Sequence, residues 1–221
     1  LKNLIFQIRE KKIHGINVTV PFKKSVIPFL DELTLEAKKT QSVNTIYFEN
    51  NKIFGHNTDI GGFEASIYKS NVDLKNKKVL ILGAGGVVPS IIYALTKMEV
   101  SEITLSNRTK EKAENLKNIF KGINIIEWGE LSDFDLIINA TSLGLKKEDK
   151  FNFNFSSISH NKFFYDVIYN PIETNFLKTG KNLGNVTING KLMFIYQAFL
   201  AFNIWHNLKP NIDEEVLRLL D

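Results

Sequence analysis

The sequence predicts an α/β protein of two domains, the larger built on a doubly wound parallel sheet. Three observations carry that prediction. From residue 79 onward, strand-like and helix-like segments alternate at the spacing of parallel βαβ units. A glycine cluster, Gly83-Ala84-Gly85-Gly86, stands directly between a buried strand and a helix. The composition, 43% hydrophobic and 24% charged over 221 residues, is that of a globular chain long enough for two modest cores. It excludes disordered, collagen-like and coiled-coil classes.

The elements follow in order. Leu1 to Lys12 reads as an amphipathic helix with Leu1, Leu4, Ile5 and Ile8 on its apolar side. Ile13 to Val20 alternates and is rich in β-branched residues, so it reads as a strand. Pro21 then opens a helix running to about Leu30, since proline suits a first turn. Val43–Phe48 and Lys52–Gly55 form a hairpin about Asn50-Asn51. Asn57-Thr58-Asp59 offers caps for a helix through Tyr68, and the polar stretch Lys69–Lys78 is the linker. Beyond it come a strand at Val79–Leu82, a helix at Ser90–Met98, a strand at Glu102–Ser106, a helix at Lys110–Phe120 and a strand at Ile123–Glu127. Leu136–Asn139 and Phe163–Val167 are buried strands, Glu173–Gly180 a helix and Val186–Ile188 the last strand. Leu192–Trp205 is a helix apolar on most faces, expected between packed layers, and Asp213–Leu219 is a closing amphipathic helix.

Composition also narrows the chemistry. With no cysteine, the chain excludes disulfides, thiolate metal sites and a cysteine nucleophile. His14, His56, His160 and His206 lack ligand spacing, so no metal site is expected, and His56 alone stands near a carboxylate, Asp59. The net charge of +4 is spread over scattered lysines (Lys11, Lys39, Lys77, Lys121, Lys181), not the clustered footprint that nucleic acid requires. The longest apolar stretch, Leu192 to Trp205, is too short to span a bilayer, and the opening LKNLIFQIREKK has no signal-peptide pattern. A cytoplasmic protein is the expectation, with neither nucleic acid nor membrane as partner.

The glycine cluster has the context of a dinucleotide fingerprint: Gly83 for the tight turn, Gly85 for close backbone approach to a pyrophosphate, and helix amides facing the phosphates. Val88 stands where the pattern has a small residue, with Pro89 after it, and a glycine turn that binds nothing is the competing reading. The strand after the next helix ends in Asn107-Arg108-Thr109-Lys110. No carboxylate there repels a 2′-phosphate, and Arg108 and Lys112 are placed to attract one, so the expected cofactor is NADP(H), with a basic loop opening an amphipathic helix as the competing reading.

Two segments resist explanation by packing. Lys23, ending Asn17-Val-Thr-Val-Pro-Phe-Lys23, falls in an expected first helical turn, where the helix dipole disfavours a cation by about 0.3–1 kcal/mol. Asp59 offers a carboxylate at a helix start, followed by Gly61-Gly62, and could serve only as a cap. At about 4 Å, a Lys23–Asp59 pair would gain as much as about 4 kcal/mol at an intermediate dielectric, more than the dipole costs.

In fixed order, NVTVPFK (17–23), SVNT (42–45), GHNTDIGGF (55–63), GAGG (83–86), SNRT (106–109), INATSLG (138–144), YDVIYNPIET (165–174) and TINGKLMFIYQAF (187–199) resemble the shikimate dehydrogenase family from Gly15 to Phe202. The resemblance implies a substrate domain over residues 1–68, an NADP-binding Rossmann domain over 69–190, and helices over 191–221 that return to the substrate domain. It implies NADPH-dependent reduction of 3-dehydroshikimate to shikimate, in aromatic amino-acid biosynthesis, by a monomer or homodimer. Lys23 and Asp59 become the acid/base pair, with Thr19, Lys23, Asn44, Asp59 and Gln197 on the small-molecule substrate and Tyr169 near its ring. Gly83, Ala84, Gly85, Gly86, Val87, Asn107, Arg108, Thr109, Lys112, Val167 and Gly190 would surround NADP, with Thr141 near the nicotinamide. Family members begin with a strand and a Ser-x-Ser loop that binds the substrate carboxylate. No Ser-x-Ser precedes Lys23, and a further upstream segment is expected. Two other functions stay open: a quinate/shikimate dehydrogenase using NAD(P), and a catalytically silent NADP-binding module.

Overall fold

The computed structural model describes residues 1–220. Its first fifty-six form a small mixed sheet. Helix α1 (Lys2–Arg9) buries Ile5 and Ile8 but leaves Leu1 and Leu4, expected on the same side, near 40% exposed. Strand β1 is confined to Gly15–Asn17, the part that pairs antiparallel with β3 (Thr45–Glu49); the left-handed turn at Lys11 and Pro21 beyond shorten the expected Ile13–Val20. Helix α2 is a single turn, Phe22–Ser25, where a helix to Leu30 was expected. Pro28 has no N–H for the Lys24 carbonyl, and Ile27–Phe29 relaxes into a 3₁₀ turn. Strand β2 (Glu32–Leu33) and helix α3 (Leu35–Thr40) carried no readable periodicity; Thr34 caps α3, its Oγ1 accepting from the Ala37 N–H at 3.4 Å. β3 and β4 (Lys52–His56) form the expected hairpin, with Asn50 and Asn51 both at positive φ as a tight two-residue turn demands. The sheet order is β1-β3-β4-β2.

The second sheet has six strands, all parallel: β5 (Lys78–Leu82), β6 (Glu102–Ser106), β7 (Asn124–Ile126), β8 (Leu136–Asn139), β9 (Phe163–Asp166) and β10 (Val186–Ile188). Their order, β10-β9-β8-β5-β6-β7, is the doubly wound one, reversing direction between β5 and β8. Both faces are buried, so the strands read as continuous apolar runs. Val79 and Ile81 face α5 (Val88–Lys97) and α6 (Lys110–Ile119), whereas Leu80 and Leu82 face α7 (Asn175–Asn182) and a phenylalanine cluster of Phe134, Phe153, Phe155, Phe164 and Phe176.

Helix α4 (Asp59–Lys69) joins the two halves. Its Ile60, Phe63 and Ile67 lie in the same core as β5 and α5, and Tyr165 of β9 donates to Ser66 Oγ at 3.0 Å. Helix α8 (Lys191–His206) packs along α4 and reaches the small sheet through Trp205, whose indole N–H donates to the Ile46 carbonyl. It does not lie between layers as expected: α4 covers one face, while Phe194 and Phe202 remain more than a third exposed. Gly62 decides the approach, since a Cβ there would meet the Met193 carbonyl at 2.7 Å. A short helix, α9 (Glu214–Arg218), closes the described chain. Among the described residues no helix is long and apolar enough to cross a membrane.

Candidate active site

The Lys23 ammonium donates to Asp59 Oδ2 at 2.6 Å, with side chains only 13% and 8% exposed. The pair is closer than the 4 Å assumed from sequence, within direct hydrogen-bonding distance. The expected dipole cost is absent, because α2 is one turn long and Lys23 lies in its first and last turn at once. Lys23 is held through its backbone, its carbonyl accepting from the Val43 N–H at 2.9 Å. Asp59 is not the cap: Thr58 occupies that position, and the Asp59 carboxylate is engaged elsewhere, Oδ1 accepting from the Asn44 amide at 2.9 Å.

Asn44 centres a buried polar cluster. Its Nδ2 also donates to Thr58 Oγ1 at 2.9 Å and reaches Gln197 Oε1 at 3.5 Å, while its Oδ1 accepts from the Thr58 N–H at 2.7 Å and the Thr45 hydroxyl at 3.0 Å. Gln197 arrives from α8 because Gly62 lets the two helices touch. Thr19 lies exposed in the loop after β1, its carbonyl accepting from the Phe22 N–H at 2.8 Å. Tyr169 stacks on Phe194, ring centroids 4.3 Å apart. His56 turns away from Asp59: its Nδ1 pairs with Thr34 Oγ1 at 2.9 Å and lies 4.0 Å from Glu36, and burial lowers its pKa.

Beside the pair opens a cleft of about 960 Å³ at the carboxyl ends of β5 and β8, the point where strand order reverses. Its walls include the predicted Gly83, Ala84, Gly85, Gly86, Val87, Asn107, Arg108, Thr109, Lys112, Val167 and Tyr169, and also Thr141. Gly190 is not among them. It is buried against the Val167 carbonyl and stands at the amino end of α8. Sequence reasoning missed Trp128, Lys150 and Asn152, which come from irregular segments with no motif of their own. It also missed the support beneath the cleft. Asp166 accepts from Thr174 Oγ1 at 2.6 Å, and from the Ile168 N–H and Asn139 Nδ2 at 3.0 Å each. Asn139 Oδ1 in turn accepts from the Thr141 N–H and hydroxyl. Burial pushes the Asp166 carboxyl up to about 6. The readable signal was a polar residue closing each of two buried apolar strands.

The residues fit a dinucleotide phosphate. Gly83 has φ +110, a conformation a side chain would strain. No side chain caps the amino end of α5 and its first turn holds no acid, which leaves the positive end of the helix to a ligand. Arg108, Lys112 and Lys150 line the same cleft. A Cβ on Gly86 would come within 3.9 Å of Lys23 Cδ, so the glycine loop and the lysine stem are neighbours.

Comparison with known proteins agrees. Residues 1–46 match the family model described as shikimate dehydrogenase substrate binding domain, and residues 66–160 that of shikimate / quinate 5-dehydrogenase. The chain is 62% identical over its whole length to the shikimate dehydrogenase (NADP(+)) of Pelagibacter ubique, covering 83% of that protein. It superposes on the crystal structure of shikimate dehydrogenase from Aquifex aeolicus with a TM-score of 0.89 at 38% identity, covering all of this chain and 81% of that one. Against the Thermus thermophilus enzyme, solved in complex with NADP(H) and shikimate, the TM-score is 0.89 at 29% identity, over all of this chain and 84% of the other.

Proposed function

The chain belongs to the shikimate dehydrogenase family, and from that membership we propose that it reduces 3-dehydroshikimate reversibly to shikimate with NADPH, a step of aromatic amino-acid biosynthesis. The observation that carries the reading is the largely buried Lys23–Asp59 pair beside the glycine loop of a cleft lined with cations. Gly83 to Val87 would hold the pyrophosphate of NADP, with Arg108 and Lys112 on its 2′-phosphate. When bound, the cofactor supplies or accepts a hydride.

The chain's own residues handle the proton. Reduction of a ketone builds negative charge on its oxygen, and Lys23 donates the proton that neutralises it. Asp59 holds the ammonium in place before transfer. In the oxidation direction, neutral Lys23 accepts the proton of the substrate hydroxyl. Asn44, Gln197 and Thr19 bond the other hydroxyls, and Tyr169 borders the ring. Residues 1–68 would form the substrate domain, 69–190 the cofactor domain and 191–221 the returning helices, in a cytoplasmic monomer or homodimer.

The test is an absorbance assay of NADPH formation from NADP⁺ and shikimate, repeated with quinate and with NAD⁺. The expected result is turnover with shikimate and NADP⁺ at the highest kcat/KM of the four pairs. A preference for quinate or NAD⁺ would shift the assignment within the family. NADPH binding by calorimetry without turnover on either substrate would reduce the protein to a binding module.

A further inference from the structure

Four buried polar side chains at the junction of the two sheets, Thr40, Ser42, Asn57 and Ser90, belong to neither the proton-transfer pair nor the cofactor cleft. Asn57, 1% exposed, is their centre. Its Nδ2 donates to Ser90 Oγ on α5 at 2.9 Å and to the Ser42 carbonyl at 2.9 Å, and lies 3.3 Å from Thr40 Oγ1 at the end of α3. Its Oδ1 accepts from the backbone N–H of Asp59 at 3.1 Å. One side chain thus bonds both to the helix that follows the glycine loop and to the amide of the proton-transfer carboxylate. A second bridge runs alongside, Ser42 Oγ donating to the Gly86 carbonyl at 3.4 Å.

We propose that Asn57 is a positioning residue, which fixes the separation between the Lys23–Asp59 pair and the cofactor cleft by clamping Asp59 to α5 through Ser90. The proposal rests on the dehydrogenase reading of the site. A carboxamide engaged at both ends has one workable orientation, and water cannot replace its partners once they are buried. Any slide of α5 against α4 breaks these bonds, and the other end of α4 is held to the large sheet by the Tyr165–Ser66 bond. The demand is steep, because a misplacement of about 1 Å in a reacting centre can cost about 10²-fold in rate.

Ser90→Ala is the sharp test, since the Ser90 hydroxyl bonds the Asn57 carboxamide and lies outside the cleft lining. Alanine suits the helix, and the Asn57 amide keeps Ser42 and Thr40 as partners, so the fold survives. Two readouts are taken on the purified protein: amide hydrogen exchange at Asp59 by NMR, and kcat per cofactor-binding site counted by NADPH fluorescence titration. The expected result is exchange at Asp59 at least tenfold faster with β3 amides unchanged, and kcat at least fivefold lower with the KM for shikimate within twofold. Asn57→Ala should exceed both effects if it folds. Unchanged exchange at Asp59 in Ser90→Ala, or a kcat per site equal to wild type, overturns the proposal. If the wild-type protein fails to oxidise shikimate, the functional reading fails, and the exchange measurement still decides whether Ser90 and Asp59 are coupled.

Discussion

At Lys23, the stem is enclosed and the ammonium already bonds its carboxylate, so truncation removes the proposed proton donor while leaving the pocket's other hydrogen-bonding groups in place. Lys23→Ala should therefore lower kcat by about 10²–10⁴ with a modest change in KM. Steady-state kinetics in both directions measure this, and undiminished turnover would remove Lys23 from the mechanism. Asp166 makes a different prediction. Its folded pKa of about 6 stands above the ordinary 3.8, so between those values the folded state holds a proton that the unfolded chain has released. Stability contributed by that proton is present below pH about 4 and is lost as pH rises through 6, a cost of about 3 kcal/mol at neutrality. Asp166→Asn, which does not titrate, lacks this pH dependence. On lowering pH from 7 to 4, urea unfolding should show wild type gaining roughly 2.4 kcal/mol relative to the variant, and a pH-independent gap would refute the shift.

Among the elements, α4 and α8 carry the most consequence, because their contact brings Gln197 to the Asn44–Asp59 cluster. Gly62→Ala should destabilise even though alanine is the better helix former by about 1 kcal/mol. Its Cβ would meet the Met193 carbonyl at 2.7 Å, and backbone cannot yield as a flexible side chain does. Overpacking of this kind costs about 1–3 kcal/mol, so after the helix gain a net loss of up to about 2 kcal/mol in unfolding free energy is expected from urea titration. A stability equal to wild type would show that the helices separate freely. Elements defined by long periodicity, from β5 through α6, were readable in the sequence to within a residue or two. The short ones were not: β2 and α3 depend on pairing with β4 and on a cap at Thr34, and α2 ends where Pro28 intervenes.

For the whole molecule, the doubly wound sheet places its reversal point beside the small sheet, so the cleft is walled by both halves: Val20 comes from the loop after β1, and the glycine loop from the large sheet. Ligand binding should then stabilise the folded chain as a unit. NADP⁺ at about 100 times its Kd should add about 2.7 kcal/mol, a rise in Tm of roughly 5–10 °C for a chain of this size. NAD⁺ at the same concentration should give a smaller rise, because Arg108 and Lys112 would lack the 2′-phosphate. Equal shifts in a thermal melt would refute the cofactor preference.

The sequence by itself determined the parallel sheet, the glycine turn, the basic end of the cleft and the two residue types of the ion pair, because each is written in local spacing or in residue chemistry. Only the tertiary structure decided that Lys23 and Asp59 touch, that Gly190 packs against the Val167 carbonyl, and that Asn57 bonds both Ser90 of α5 and the Asp59 amide. Those facts depend on contacts between segments tens of residues apart. Local periodicity carries no record of such distances; the packing of α4 against α5 and α8 sets them.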